Sequence, residues 1–174
     1  MKYKGFLNFL LFQMVWWWTL LKIHQDDPLS VYFVQLIYLI IHLYFFAKKN
    51  EFKFIFLLSG FGFLVDLFAF YLGVFELQDK FELKNHLWLF GLWMAFSTTI
   101  NHSMSWIFEY KKMSFLLFAI FGPLTYYLAS LNFGIIQFTE PVNIHYSFYT
   151  LFWLLLTLVV HLLYQFFFPT QEVD

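Results

Sequence analysis

Ser97-Thr98-Thr99-Ile100-Asn101-His102-Ser103-Met104-Ser105-Trp106 is the stretch on which the reading of this chain turns. Seven hydroxyl, amide or imidazole side chains fall within these ten residues. Apolar sequence continues on both sides, over residues 87–96 and through Ile107-Phe108. A polar cluster in that setting is expected inside a membrane-spanning helix. There its side chains must find partners within the protein, because acyl chains offer none.

Composition supports lipid as the solvent. The chain is 61% hydrophobic and 12% charged, against about 25% charged residues in a soluble domain. Its 174 residues suffice for one compact bundle and no separate soluble domain. A net charge of -1 leaves no electrostatic footprint for nucleic acid. With no cysteine there can be no disulfide, thiolate metal site or thiol nucleophile. The first apolar run ends at Lys22-Ile23-His24-Gln25 without a small-residue cleavage site, so no signal peptide is expected.

Six segments reach the roughly 20 apolar residues that a spanning helix needs: 5–21, 29–47, 52–75, 87–108, 114–131 and 146–168. Asp27-Pro28 offers an N-cap and a proline at the first helical position. Lys48-Lys49-Asn50-Glu51 and Glu109-Tyr110-Lys111-Lys112 read as charged turns, and residues 76–86 as a polar loop. Asn132-Phe133-Gly134 can close the fifth helix, and Glu140-Pro141 makes a further break before the sixth. The fold class expected is therefore all-α, a single six-helix integral membrane bundle over residues 1–174. If the N-terminus is inside, Lys2, Lys4, Lys48, Lys49, Lys53, Lys111 and Lys112 face the cytoplasm, and Lys22, Lys80 and Lys84 face out. That excess places both termini in the cytoplasm.

Helical geometry then sorts the polar residues. At 100° per residue, Ser97, Thr98, Asn101, His102 and Ser105 lie within about 140°, and Trp93, Phe96, Ile100, Met104 and Trp106 lie on the remainder. The polar face should look into the bundle, and the two tryptophans should pack or anchor the interface. On the third helix Ser59, Gly62, Asp66, Ala69 and Gly73 share about 80°. That is a small-residue seam, suited to close helix packing, with one carboxyl in it. An acid at mid-membrane must pair, be protonated or face water.

Other helices add narrower stripes: Asn8 and Gln13 on the first, Gln35, Tyr38 and His42 on the second, Gly122, Pro123 and Tyr126 on the fifth, His161 on the sixth. By helical rise His42, His102 and His161 all lie roughly 7–11 Å from the cytoplasmic end, whereas Asp66, Ser97, Thr98 and Gln13 lie roughly 12–18 Å deep. Three histidines at one depth suggest an imidazole metal site. No HxxxH or HExxH pair anchors it, and histidines hydrogen-bonded between helices, with no metal, are the expectation. The histidine boxes of membrane desaturases are missing. Six helices with serine on the fourth and histidine on the sixth resemble rhomboid proteases. However, Ser97, Ser103 and Ser105 lack the flanking glycines that make room at an oxyanion hole.

Three elements carry a closer resemblance: Asn8-x4-Gln13-x3-Trp17, Phe96 to Ser103 with Trp106, and Gly122-Pro123-x-x-Tyr126. They resemble the bacterial inner-membrane family catalogued as domain of unknown function 2878, over nearly the whole chain, with Asp66 where that pattern has an acid. The high Phe content and the absence of Arg depart from it. The resemblance implies a small multi-pass protein of the bacterial inner membrane with no assigned activity and, more loosely, a lipid-related role.

The expected site is thus a polar pocket open to the cytoplasmic leaflet. Asp66, His102 and Asn101 are its candidate catalytic groups, and Asn8, Gln13, His42, Ser97, Thr98, Ser105, Tyr126 and His161 line it. Its expected partners are membrane lipid and a small lipophilic ligand, with no cofactor, metal or nucleic acid. A lipid-modifying enzyme or its accessory heads the functions expected. A small transporter or substrate-binding subunit comes next, then a structural protein whose polar groups fasten helices.

Overall fold

The computed structural model describes residues 2–77, 83–138 and 142–169. Six α-helices dominate it: α1 Lys2–His24, α2 Pro28–Phe45, α3 Glu51–Tyr71, α4 Leu83–Ile100, α5 Lys111–Phe133 and α6 Val142–Phe167. A 3-10 turn, Ser105–Phe108, joins α4 to α5. The all-helical expectation misses one small element. Strand β1, Phe75–Leu77, pairs antiparallel with β2, Ile136–Phe138. Lys80 and the Glu140-Pro141 break lie outside the described residues.

Local chemistry sets the boundaries. Asp27 caps α2 by accepting from the Ser30 N–H at 3.3 Å, and Pro28 comes next, where its missing N–H costs nothing. These hydrogen bonds to Ser30, from side chain and backbone, hold the exposed Asp27 carboxyl below its ordinary acidity range. α3 stops at Tyr71 rather than at 75, and α5 at Phe133. Beyond each end a glycine takes the left-handed conformation, Gly73 at φ 67° and Gly134 at φ 63°, which a β-carbon would disfavour.

The fourth helix also ends earlier than the sequence suggested, at Ile100 instead of 108. Three successive hydroxyls bond back onto the chain: Ser97 to the Trp93 carbonyl, Thr98 to Ala95 and Thr99 to Phe96. Such side chains compete with the helical backbone for its own acceptors. Asn101 and His102 come after them with little helical propensity of their own. The chain therefore turns, and Asn101, His102 and Ser103 lie on that turn and not on a helix face.

Successive helices alternate in direction. Lys4 near the start of α1 reaches the Phe45 carbonyl at the end of α2, Phe54 near the start of α3 meets Phe168 after α6, and the ladder joins the segments after α3 and α5. α4 is central, packed on α1, α2 and α3, while α6 packs on α5 and α3. Core side chains include Phe54, Ile55, Leu58, Ile100, Tyr149 and Leu156. Phe6, Phe33, Leu64, Leu116 and Leu162 point outward, the pattern of a surface bathed in lipid.

Among the described residues, five helices are long and apolar enough to cross a membrane, over Tyr3–His24, Pro28–Phe45, Glu51–Tyr71, Lys111–Phe133 and His145–Phe167. The helix missing from that set is α4. Its place in the middle explains its polarity, since Ser97, Thr98 and Thr99 are all buried against protein. For the same reason the face of α4 expected to suit lipid or packing is interior too, with Ile100 and Trp93 both buried.

Candidate functional site

Two buried acids, both on α3, organise the polar interior. Asp66 sits in the seam with Ser59, Gly62 and Ala69, all four buried as the spacing predicts, whereas Gly73, expected in the same seam, lies beyond the end of α3 and is exposed. Its two oxygens accept from different helices: Trp93 Nε1–H of α4 donates to Oδ2 at 2.7 Å, and Tyr126 O–H of α5 donates to Oδ1 at 2.8 Å. Gly62 makes the first bond possible. A β-carbon there would come within 2.3 Å of the Trp93 ring, so the indole lies flat on the α3 backbone and aims its N–H at the acid. Gly122 accommodates Trp153 on α5 in the same way, and Trp153 packs against Trp93 with ring centroids 5.8 Å apart.

Beside this centre lies a cavity of about 290 Å³, lined by Asp66, Trp93, Tyr126, Ala129, Trp153 and Met104 among others. Its α1 wall is Phe12, Gln13, Trp16 and Leu20. Thr125 of α5 lines the cavity and is also exposed, so the space reaches the surface beside α5. α1 and α5 are joined near their ends, where His24 Nδ1 lies 2.8 Å from the Phe133 carbonyl oxygen. Most of the wall is aromatic or aliphatic, with a few hydrogen-bonding groups, as in small-molecule pockets.

The second acid, Glu51, opens α3. Its Oε2 accepts from the Lys48 backbone N–H at 2.6 Å. Its Oε1 meets two imidazoles: His102 Nε2 at 2.9 Å and His42 Nε2 at 3.5 Å. The histidine rings stand edge to face with centroids 5.1 Å apart, and Phe46 stacks on His42. Asn8 of α1 lies behind His42, its Nδ2 3.3 Å from Nδ1 and its Oδ1 accepting from Ser103. Tyr38 and Thr98, 2.6 Å apart at their hydroxyls, complete the layer.

The expected single pocket is therefore two places. Asn8, His42, Thr98 and His102 gather around Glu51, and Gln13 and Tyr126 join Asp66 at the cavity. At 1.5 Å per residue the two acids stand about 22 Å apart along α3, so Asp66 and His102 do not form an acid–base pair. Ser97 lies between, 3.1 Å from Ser59. Asn101 is buried with neither side-chain amide atom bonded, while its backbone carbonyl accepts from Lys48 Nζ at 2.9 Å. Ser105 is exposed and bonds back to the His102 carbonyl.

His161 belongs to neither place. Its nitrogens lie 2.7 Å from the Thr157 carbonyl oxygen and 3.3 Å from that of Ile107, and its ring stacks on Phe115. The third histidine thus ties α6 to the 3-10 turn instead of meeting the other two. Sequence reasoning missed Glu51, which looked like part of a solvated turn, and Trp93, which looked like a packing or interface residue. A signal for Glu51 was present: an acid at the first position of an apolar run, where a helix start favours negative charge.

The fold and its burial pattern define a helical protein with membrane-like helices, built around a polar central helix. Residues 5–159 match the model of the family described as Protein of unknown function (DUF2878), and the chain belongs to that family. No curated protein and no solved structure matches the chain.

Proposed function

We propose that the chain is a six-span protein of the bacterial inner membrane that holds a small lipophilic molecule in the cavity beside Asp66. The observation that carries this reading is the cavity itself, about 290 Å³ with an aromatic and aliphatic wall. That volume lies at the lower end of ligand pockets, which run from about 300 to 1,000 Å³. Gln13, Thr125 and the Asp66–Tyr126 pair supply polar groups on its wall. A ligand with an apolar body and one hydrogen-bonding group fits that lining. Thr125, exposed on α5, marks lateral access from the bilayer rather than from the cytoplasmic face.

The test is to extract and identify lipids that accompany the detergent-purified protein, read in parallel by native mass spectrometry. Wild type should carry one enriched lipophilic species, and Ala129→Trp, which fills the cavity, should lose it. Equal lipid content in the two proteins overturns the reading.

The topology is part of the same proposal. The alternating helices carry Lys4, Lys48, Lys49, Lys53 and Lys111 toward one end of the bundle, which the positive-inside rule assigns to the cytoplasm. The chain has no native cysteine, so single introduced cysteines report cleanly. A membrane-impermeant thiol reagent should label Lys22→Cys in intact spheroplasts and Lys49→Cys only after lysis. The opposite pattern reverses the orientation.

A further inference from the structure

The Glu51 centre has a feature that helix fastening leaves unexplained. His42 Nε2 is buried and has no hydrogen-bond partner, although it faces the Glu51 carboxylate at 3.5 Å. A buried imidazole nitrogen held only by so long a contact is costly, because it has given up water for a weak interaction. The end of α2, the start of α3 and the turn after α4 place His42, Glu51 and His102 together at one end of the bundle, and one ligand atom from each lies within 4.8 Å of the others.

We propose that His42 Nε2, His102 Nε2 and Glu51 Oε1 bind one divalent transition-metal ion of the zinc class. Two imidazoles and one carboxylate are a common donor set for such ions, and they leave a fourth position for water or another ligand. With bond lengths of about 2.0–2.2 Å, tetrahedral ligand atoms sit about 3.4 Å apart. The His42–Glu51 separation of 3.5 Å already has that span. The His102–Glu51 hydrogen bond at 2.9 Å must lengthen by about half an ångström, and His102 must present Nε2 unprotonated, with its one ring proton moved to Nδ1.

A ligating histidine normally has its other ring nitrogen fixed by a neighbour. For His42 that neighbour is Asn8, 3.3 Å from Nδ1. Turning the Asn8 amide over exchanges its donor for an acceptor. The carbonyl then receives Nδ1–H, which frees the Nε2 lone pair for the metal. Glu51 is held in the same manner, because the Lys48 N–H occupies Oε2 and leaves Oε1 turned toward the histidines. Asn8 is thus a positioning residue, not a ligand.

The experiment is a titration of the detergent-purified, chelator-stripped full-length protein with Co²⁺, monitored by its ligand-field absorption, and with Zn²⁺, monitored by metal analysis. Wild type should bind one ion per chain. Glu51→Gln and His102→Gln should each weaken binding at least tenfold, and Asn8→Ala should weaken it by about 10–100-fold, as loss of a ligand's supporting partner does. His161→Gln should bind as wild type does. Absence of a saturable one-to-one signal in wild type overturns the proposal, as does unchanged affinity in Glu51→Gln. The wild-type titration stands even where a variant fails to fold. The cavity beside Asp66 plays no part in it, so either proposal can fail alone.

Discussion

Asp66 and Glu51 are both buried carboxyls on one helix, yet they are satisfied in opposite ways. Asp66 lies deep in α3, where only side chains from other helices can reach it. The protein supplies two long aromatic donors and a glycine to let one of them in. Glu51 lies at the helix start, where the chain itself helps. The Lys48 backbone fills one oxygen and a turn after α4 delivers His102 to the other. At the deep position every atom is matched, and the arrangement reads as a fixed clamp. At the terminal position one imidazole nitrogen is left over, and that surplus is what a bound ion would use.

The sharpest way to break this comparison is to mutate each centre alone and then both. Trp93→Ala should destabilise the protein by about 3–5 kcal/mol, as truncation of a buried aromatic does. Glu51→Gln, which keeps the size and one acceptor, should cost about 1–3 kcal/mol. Because the sites are about 22 Å apart along α3, the double variant should equal the sum within about 0.5 kcal/mol. Equilibrium unfolding in detergent measures all three. A large coupling would show that the two acids form one unit.

The smallest effect concerns a third carboxyl, the exposed cap Asp27. Its folded-state acidity is strengthened by Ser30, so the ionised cap contributes stability above the carboxyl's ordinary value of 3.8. That contribution is lost as pH falls through the lower folded value. The gap in Tm between wild type and Asp27→Ala should therefore be small near neutrality and close on acidification. A gap independent of pH would remove the ionised carboxyl from the cap.

The helical architecture was legible because long apolar runs and their breaks announce themselves. The seam of Ser59, Gly62, Asp66 and Ala69 was legible too, since helical spacing alone puts it on one face. What stayed hidden depended on tertiary context. Gly62 reads as a packing glycine in either case, and nothing in its neighbours says that an indole will lie on it. His42, His102 and His161 look alike in the sequence, and only the turn after Ile100 separates the pair from the third. That turn was missed because hydropathy counts a hydroxyl-rich helix end as more helix. Lys48 to Glu51 read as a solvated turn, because sequence gives the spacing of charges and not which of them the bundle encloses.

The polarity of α4 also bears on how the molecule is assembled. Hydroxyls and amides weaken a segment's own tendency to partition into lipid, and within the described residues α4 misses the apolarity that the other five helices reach. Its polar groups find their partners on α1, α2 and α3, among them Asn8, Tyr38 and Ser59. A helix of this kind depends on its neighbours for the hydrogen bonds that an apolar surrounding would not give. In chain order the helices that carry those partners, α1 to α3, all precede it.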